Sequence, residues 1–322
     1  MGRDVIYTNG IIAAREKYFL GGKLSRLCES TPEEAFRILS ESGYGRGSAA
    51  ESAADFEEMA LAEERALDEF IREYAPSGAE RDYLLSPRDF HNAKSLLKAA
   101  YLHADAEKML APEGLISVRE LSEAVSAGNF SRPGKELGAA LEEGAAALEQ
   151  GGASGAEIGG IFERAMFRHL AAAVSRNGVL KKLLAGRADR LNILTAMRAS
   201  NQAQAETQYV EGGRLTKKQL AGLFGTDSEK AAHSLDGTPY AAFVGKCFAA
   251  KSAGLPLTEA EREAASFETE FFAAGKYDLE RNQPFLYYVF RRRAENANVR
   301  IVFVCLQAGM REGEIKKRLR AM

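Results

Sequence analysis

FLYYVFRRRAENANVRIVFVCL, residues 285–306, contains an acid-x-x-Asn step, Glu295 to Asn298. The step recurs as Asp89 to Asn92 in RDFHNAKSLLKA (residues 88–99) and as Asp189 to Asn192 in ADRLNILTAMRA (residues 188–199). Of the nine Asn in the chain, only these three have an acid three residues before them, where chance supplies roughly one. The copies lie 100 residues (89 to 189) and 106 residues (189 to 295) apart. Each also has a similar segment upstream: ERAL at 64–67, ERAM at 163–166 and FETEF at 267–271. Two landmarks at matched offsets read as one helical unit used three times.

Working outward, Ala, Leu, Glu, Lys and Arg dominate, Trp is absent and Pro occurs only eight times, which favours helix almost everywhere. No alternating apolar run flanks an Asn-Gly or Asp-Gly pair, so no hairpin is signalled. The β-branched patch Val299–Val304 is the best strand candidate. It lacks alternation and continues the pattern begun after Pro284, so it is read as helix. The expected class is all-α, one unit of three helical repeats, approximately 1–112, 113–212 and 213–322.

Local signals place the elements. Helices run from about Val5 to Cys28, and Thr31-Pro-Glu-Glu34 opens another with a capping box and Pro at the first helical position. That helix ends in the glycines of residues 43–47. A long acidic helix follows over Ala54–Tyr74, and Ser86-Pro-Arg-Asp89 is expected to cap the first motif helix. Ser117 and Thr216 begin short helices at matched distances after Asn92 and Asn192. Residues 151–155 read as a flexible loop. Thr31…Leu39…Tyr44 is echoed by Thr226…Leu235…Tyr240, a capped helix ending in a turn and a tyrosine.

On a helix, the acid and the Asn share one face, and the same stripe continues to Leu96, Ala196 or Val302. A polar pair flanking an apolar seam must find partners: backbone groups, a neighbouring Arg, or the preceding helix. The motif is therefore read as a packing device that sets how the helices of each unit cross. Asp89 has a second reading as the cap of its helix. Glu295, deep in a helical run, has no such alternative.

Composition narrows the function classes. Hydrophobic residues make up 46%, charged residues 27%, and the net charge is -2, so no basic excess points to nucleic acid. The apolar run Ile301–Leu306 is six residues, far short of the ~20 needed to span a bilayer. Cys28, Cys247 and Cys305 fit no metal or redox spacing and, without a secretion-signal pattern, are expected to be reduced thiols in the cytosol.

Four His are present. His103/Asp105 and Glu229/His233 have no matching second half of a metal site. GNFSRPGKE (residues 128–136) resembles a phosphate loop only partly, with one residue too many between its glycines and no preceding strand. No catalytic, cofactor-binding or metal-ligating residue is assigned. Two charged features remain. The acidic face Asp55–Glu73 holds eight acids against two Arg, and basic clusters occur at Arg291, Arg292, Arg293 and at Lys316, Lys317, Arg318, Arg320. Both read first as solvated surface and second as partner contacts.

Taken together, these segments resemble the C-type central-stalk component of the V-type/A-type rotary ATPases, known as the d component in the eukaryotic enzymes. The resemblance rests on AARE (13–16) with Leu24-Ser-Arg-Leu27, on Glu33-Glu-Ala35…Leu39…Gly43-Tyr-Gly45, on the three acid-x-x-Asn helices, and on Glu295-Asn-Ala-Asn298…Glu314-Ile315…Leu319-Arg320. The Gly/Ala-rich stretch 144–160 departs most. The resemblance implies a three-lobed, funnel-shaped, pseudo-threefold helical protein without chemistry of its own and without cofactors, monomeric in isolation. It would sit peripherally on the cytoplasmic side of the membrane proteolipid ring and receive the central shaft, made of the D and F subunits. It would turn with the rotor, linking ATP hydrolysis or synthesis to proton or sodium transport. The competing reading is a free-standing helical scaffold or adaptor.

Overall fold

A computed structural model describes residues 5–224, 231, 233–277 and 282–322. Among the described residues there are helices and turns and no β-strand, so the protein is all-α. In chain order, α1 spans Val5–Glu16, α2 Lys23–Cys28, α3 Pro32–Ser42 and α4 Phe56–Tyr74, the last preceded by a single 3₁₀ turn. Next come α5 Gly78–Leu102, α6 Val118–Ser126, α7 Lys135–Glu149, α8 Gly155–Ala173 and α9 Gly178–Arg198. Then follow α10 Gln202–Gln208, α11 Lys217–Ala221, α12 Ala241–Ser252, α13 Thr258–Ala273, α14 Gln283–Gln307 and α15 Glu312–Lys316.

The expected signals set many of these boundaries. Thr31 accepts from the Glu34 amide at 3.2 Å, and Pro32 fills the first turn where its missing N–H costs nothing. Gly43 leaves α3 at φ 77°, a left-handed step that L side chains resist. Ser117 and Thr216 form capping boxes with Glu120 and Gln219, as the sequence signals. Val299–Val304 lies inside α14 and is helical. The helix expected from Thr226 begins outside the described residues, and so does Glu229.

Two expectations are corrected. Ser86-Pro-Arg-Asp89 does not start a helix: α5 begins at Gly78 and runs through Pro87. Ser86 turns its hydroxyl back to the Asp82 carbonyl at 2.7 Å, so the helix continues past a proline that cannot donate. The loop of residues 151–154 ends one residue early, because Ser154 caps α8 in a box with Glu157 and Gly155 is already helical.

The chain divides into two compact units, Gly78–Ala260 and the pair Met1–Ser77 with Glu261–Met322. In the second of these, the two ends of the chain share one core. Leu24, Leu27, Ile38 and Leu39 from α2 and α3 pack with Val299, Val302 and Phe303 of α14 and Ile315 of α15. Phe56 stacks on Phe303 at 4.8 Å, and Phe70 lies 5.7 Å from Phe285 and 5.0 Å from Tyr288. Burying each such ring contributes roughly 3 kcal/mol. In the Gly78–Ala260 unit, α8 lies against α5 and α7, with Phe167, Leu170, Leu180 and Leu183 fully buried.

Candidate functional site: three clasps between helix and loop

All six motif side chains are buried, none more than 5% exposed. On α5, the Asn92 amide closes a two-point clasp with a single residue. Its Nδ2 donates to the Ala111 carbonyl at 3.1 Å, and its Oδ1 accepts from the Ala111 N–H at 2.8 Å. One turn earlier, Asp89 accepts from the Leu115 and Ile116 N–H groups at 3.0 and 3.1 Å. On α9 the arrangement repeats. Asn192 clasps Val210 with two bonds of 2.9 Å, and Asp189 Oδ1 accepts from Arg214 and Leu215 N–H at 2.8 and 2.9 Å.

The residue types follow from this task. An amide side chain has a donor and an acceptor side by side, matching the N–H and C=O of one backbone residue. An ionised carboxylate only accepts, so it suits two consecutive N–H groups. Both clasped segments lead straight into a capped short helix, α6 or α11. The motif therefore fixes a loop and the start of the next helix. In these two copies the Asn is bonded to the backbone of one downstream residue and the Asp to two consecutive backbone N–H groups further along the same loop.

The third copy keeps the amide half and redirects the acid. Asn298 clasps Arg320 at 3.0 and 2.8 Å. Glu295 instead accepts from the N–H of Leu20, at 2.6 Å, just before α2. Its second oxygen takes the Arg292 guanidinium at 2.5 Å. The local relation is preserved: the acid holds backbone two or three residues ahead of a short helix. Here that helix lies at the other end of the chain.

Two tyrosines complete the pattern. The Tyr240 hydroxyl donates to Asp189 Oδ2 at 2.7 Å, and the Tyr44 hydroxyl donates to Oδ1 of Asn296, the neighbour of Glu295, at 2.9 Å. Burial, and for Tyr240 the adjacent carboxylate, push both phenols well above their ordinary range, so each remains a donor. The sequence echo of Tyr44 and Tyr240 was visible, but not its purpose. Gly114 and Gly213 were missed: a Cβ on either would overlap the Asp89 or Asp189 carboxylate. Their signal was a glycine at nearly the same distance after each Asp, ahead of the capping Ser or Thr.

The charged clusters separate on inspection. Arg292 is buried against Glu295, and Arg291 is half-buried over the Phe19 ring at 4.0 Å. Arg293 is half-buried, and Lys317 is exposed. Lys316 sits between Glu29 at 3.3 Å and Glu312 at 2.5 Å, and Arg320 is held through its backbone. The acidic face of α4 is partly internal. Glu57 and Glu64 grip Arg300 of α14, Glu63 accepts from the Gly45 N–H at 2.9 Å, and Asp68 is buried. Arg300 is the cation that the sequence pattern did not single out.

His103 and Asp105 have local structural tasks. His103 takes the left-handed step that ends α5, at φ 51°, and Asp105 accepts from the Glu107 N–H at 2.9 Å. Among the described residues, no three His, Cys, Asp or Glu side chains gather as a metal site, and no helix is long and apolar enough to cross a membrane.

Residues 8–318, from α1 to the segment clasped by Asn298, match the family described as ATP synthase (C/AC39) subunit. The chain belongs to this family. It is thus a component of the V/A-type ATPase class, and the three clasps are part of how this C/AC39 protein is held together. No individually curated protein matches the sequence significantly.

Proposed function

We propose that the chain is a non-catalytic central-stalk rotor subunit of a V/A-type ATPase or ATP synthase. In this reading it couples a shaft of the D and F subunits to the membrane proteolipid ring, so that ATP turnover is linked to proton or sodium transport. It lies peripherally on the cytoplasmic face and is a monomer in isolation. The observation that carries the reading is the family match over almost the whole chain. The clasps support it mechanically. A part that transmits torque needs loops that do not yield, and buried, doubly bonded loop anchors resist local opening.

The same bonds support a reading of three repeated lobes, counted from the motif helices. Each lobe begins with α5, α9 or α14, runs through its clasped loop, and ends at the helix bearing the next ERAL-like landmark. The third lobe then passes from α14 through the N-terminus to α4, joined by Glu295–Leu20 and Arg300–Glu64. Cuts at 112/113 and 212/213 would instead fall inside the clasped loops. Of the cationic candidates for shaft or ring contact (Arg291, Arg292, Arg293, Lys316, Lys317 and Arg320), Lys317 is exposed and Arg291 and Arg293 are half-buried.

Co-elution and calorimetry of the purified chain with a recombinant D–F heterodimer test the coupling role. One-to-one binding is expected. A folded, helical chain that does not bind at tens of micromolar would favour the scaffold reading.

A further inference from the structure

A cavity of about 420 Å³ opens in the unit that contains both chain ends, between the end of α1, the turn after α3, α4 and α14. Its size falls in the usual range for small-molecule pockets. Three arginines line it, Arg15, Arg46 and Arg292, against a single acidic lining residue, Glu63. Arg292 is already committed to Glu295. Arg15 and Arg46 form no ion pair among the described residues; Arg15 lies over the Phe70 ring at 4.8 Å. Glu63 is engaged by the Gly45 N–H, a bond that pins the turn carrying Arg46 onto α4.

The turn is held a second way: a side chain at Gly45 would overlap Met59, so the backbones touch. Arg46 thus sits on a turn held against α4, and Arg15 lines the same cavity from the end of α1. The other walls are aromatic and polar, with the phenols of Tyr18, Tyr44 and Tyr288. Behind Tyr44, Asn296 is 1% exposed, and its Nδ2 has no acceptor among the described residues. Buried donors of this kind are normally satisfied.

We propose that this cavity binds a small organic anion: a phosphate or carboxylate group carried on a ring-sized body. The anionic group lies between Arg15 and Arg46, where two guanidinium forks suit an oxyanion. The body lies against Tyr18 and Tyr288. Occupancy bridges α1, the α3–α4 turn and α14, so it stabilises the unit in which the two chain ends meet.

The test is calorimetry and thermal unfolding of the full chain with phenyl phosphate, benzoate and inorganic phosphate. Phenyl phosphate is expected to bind one-to-one and raise Tm, weakening as salt rises. Arg15→Gln with Arg46→Gln is expected to weaken it at least about tenfold while leaving the helical spectrum unchanged. Arg198→Gln, in the other unit, should leave binding intact. Benzoate binding as well as phenyl phosphate would assign the site to carboxylates; weaker benzoate binding would assign it to phosphate esters. Absence of binding by both ring compounds at millimolar concentration overturns the proposal, as does equal affinity in the double variant. Inorganic phosphate matching phenyl phosphate would overturn the part assigned to the ring.

Discussion

Replacing Asn192 by Leu isolates the amide clasp. The two side chains have the same number of heavy atoms, so no cavity term enters, while the bulkier methyl groups push the Val210 backbone out of its 2.9 Å contacts. The two 2.9 Å bonds to Val210 are lost, and Val210, only 4% exposed, cannot readily exchange them for water. Leaving a buried N–H or C=O without its partner costs about 1–3 kcal/mol, and Val210 has one of each. A loss of roughly 2–6 kcal/mol follows, or a fall in Tm of at least about 4 °C for a unit of this size. Chemical denaturation gives the free energy, and native-state hydrogen exchange at the Val210 amide reports the clasp directly. A loss below about 0.5 kcal/mol, with Val210 as protected as in the wild type, would refute the clasp as a structural anchor.

Gly114→Ala and Gly213→Ala should each cost about 1–3 kcal/mol by displacing a buried carboxylate. Combined with Asp189→Asn, the Gly213 loss should be clearly less than additive in a double-mutant cycle. His169 is half-buried, and burial holds its imidazole below the ordinary range despite Asp82 and Glu136 nearby. A histidine with a depressed folded pKa favours the fold when neutral. Its contribution is therefore full above about pH 6.5 and lost as pH falls toward the folded value. His169→Phe should flatten that part of the stability–pH curve, and an unchanged curve would remove His169 as its source. The three cysteines are buried thiols, and burial pushes the Cys28 thiol up, so a thiol reagent should label the chain only as it unfolds. Prompt labelling of native protein would contradict that packing.

Much of the fold was legible because it depends on local chemistry. Helix-forming composition, Thr31-Pro32, Ser117/Glu120 and Thr216/Gln219 act within a turn of themselves, and the structure follows them. Where local rules were misread, a longer-range gain had won. Pro87 looks like a helix start, yet α5 runs through it, and the polar seam of Asp89 and Asn92 beyond it faces the clasped loop. Arg292 reads as one of three surface arginines, but it is buried because Glu295 lies one turn away and the Leu20 N–H meets the other carboxylate oxygen.

By itself, the sequence determined the helical class and the repeated acid-x-x-Asn step, and it raised the expectation that this polar pair on an apolar stripe has to be satisfied. Only the tertiary structure decided which groups satisfy it. Hydrogen-bond partners 18 to 275 residues away along the chain leave no periodicity to read. Their choice depends on which loop the fold brings within hydrogen-bonding distance. The clearest case is Glu295 reaching Leu20, where a motif near the end of the chain anchors its beginning.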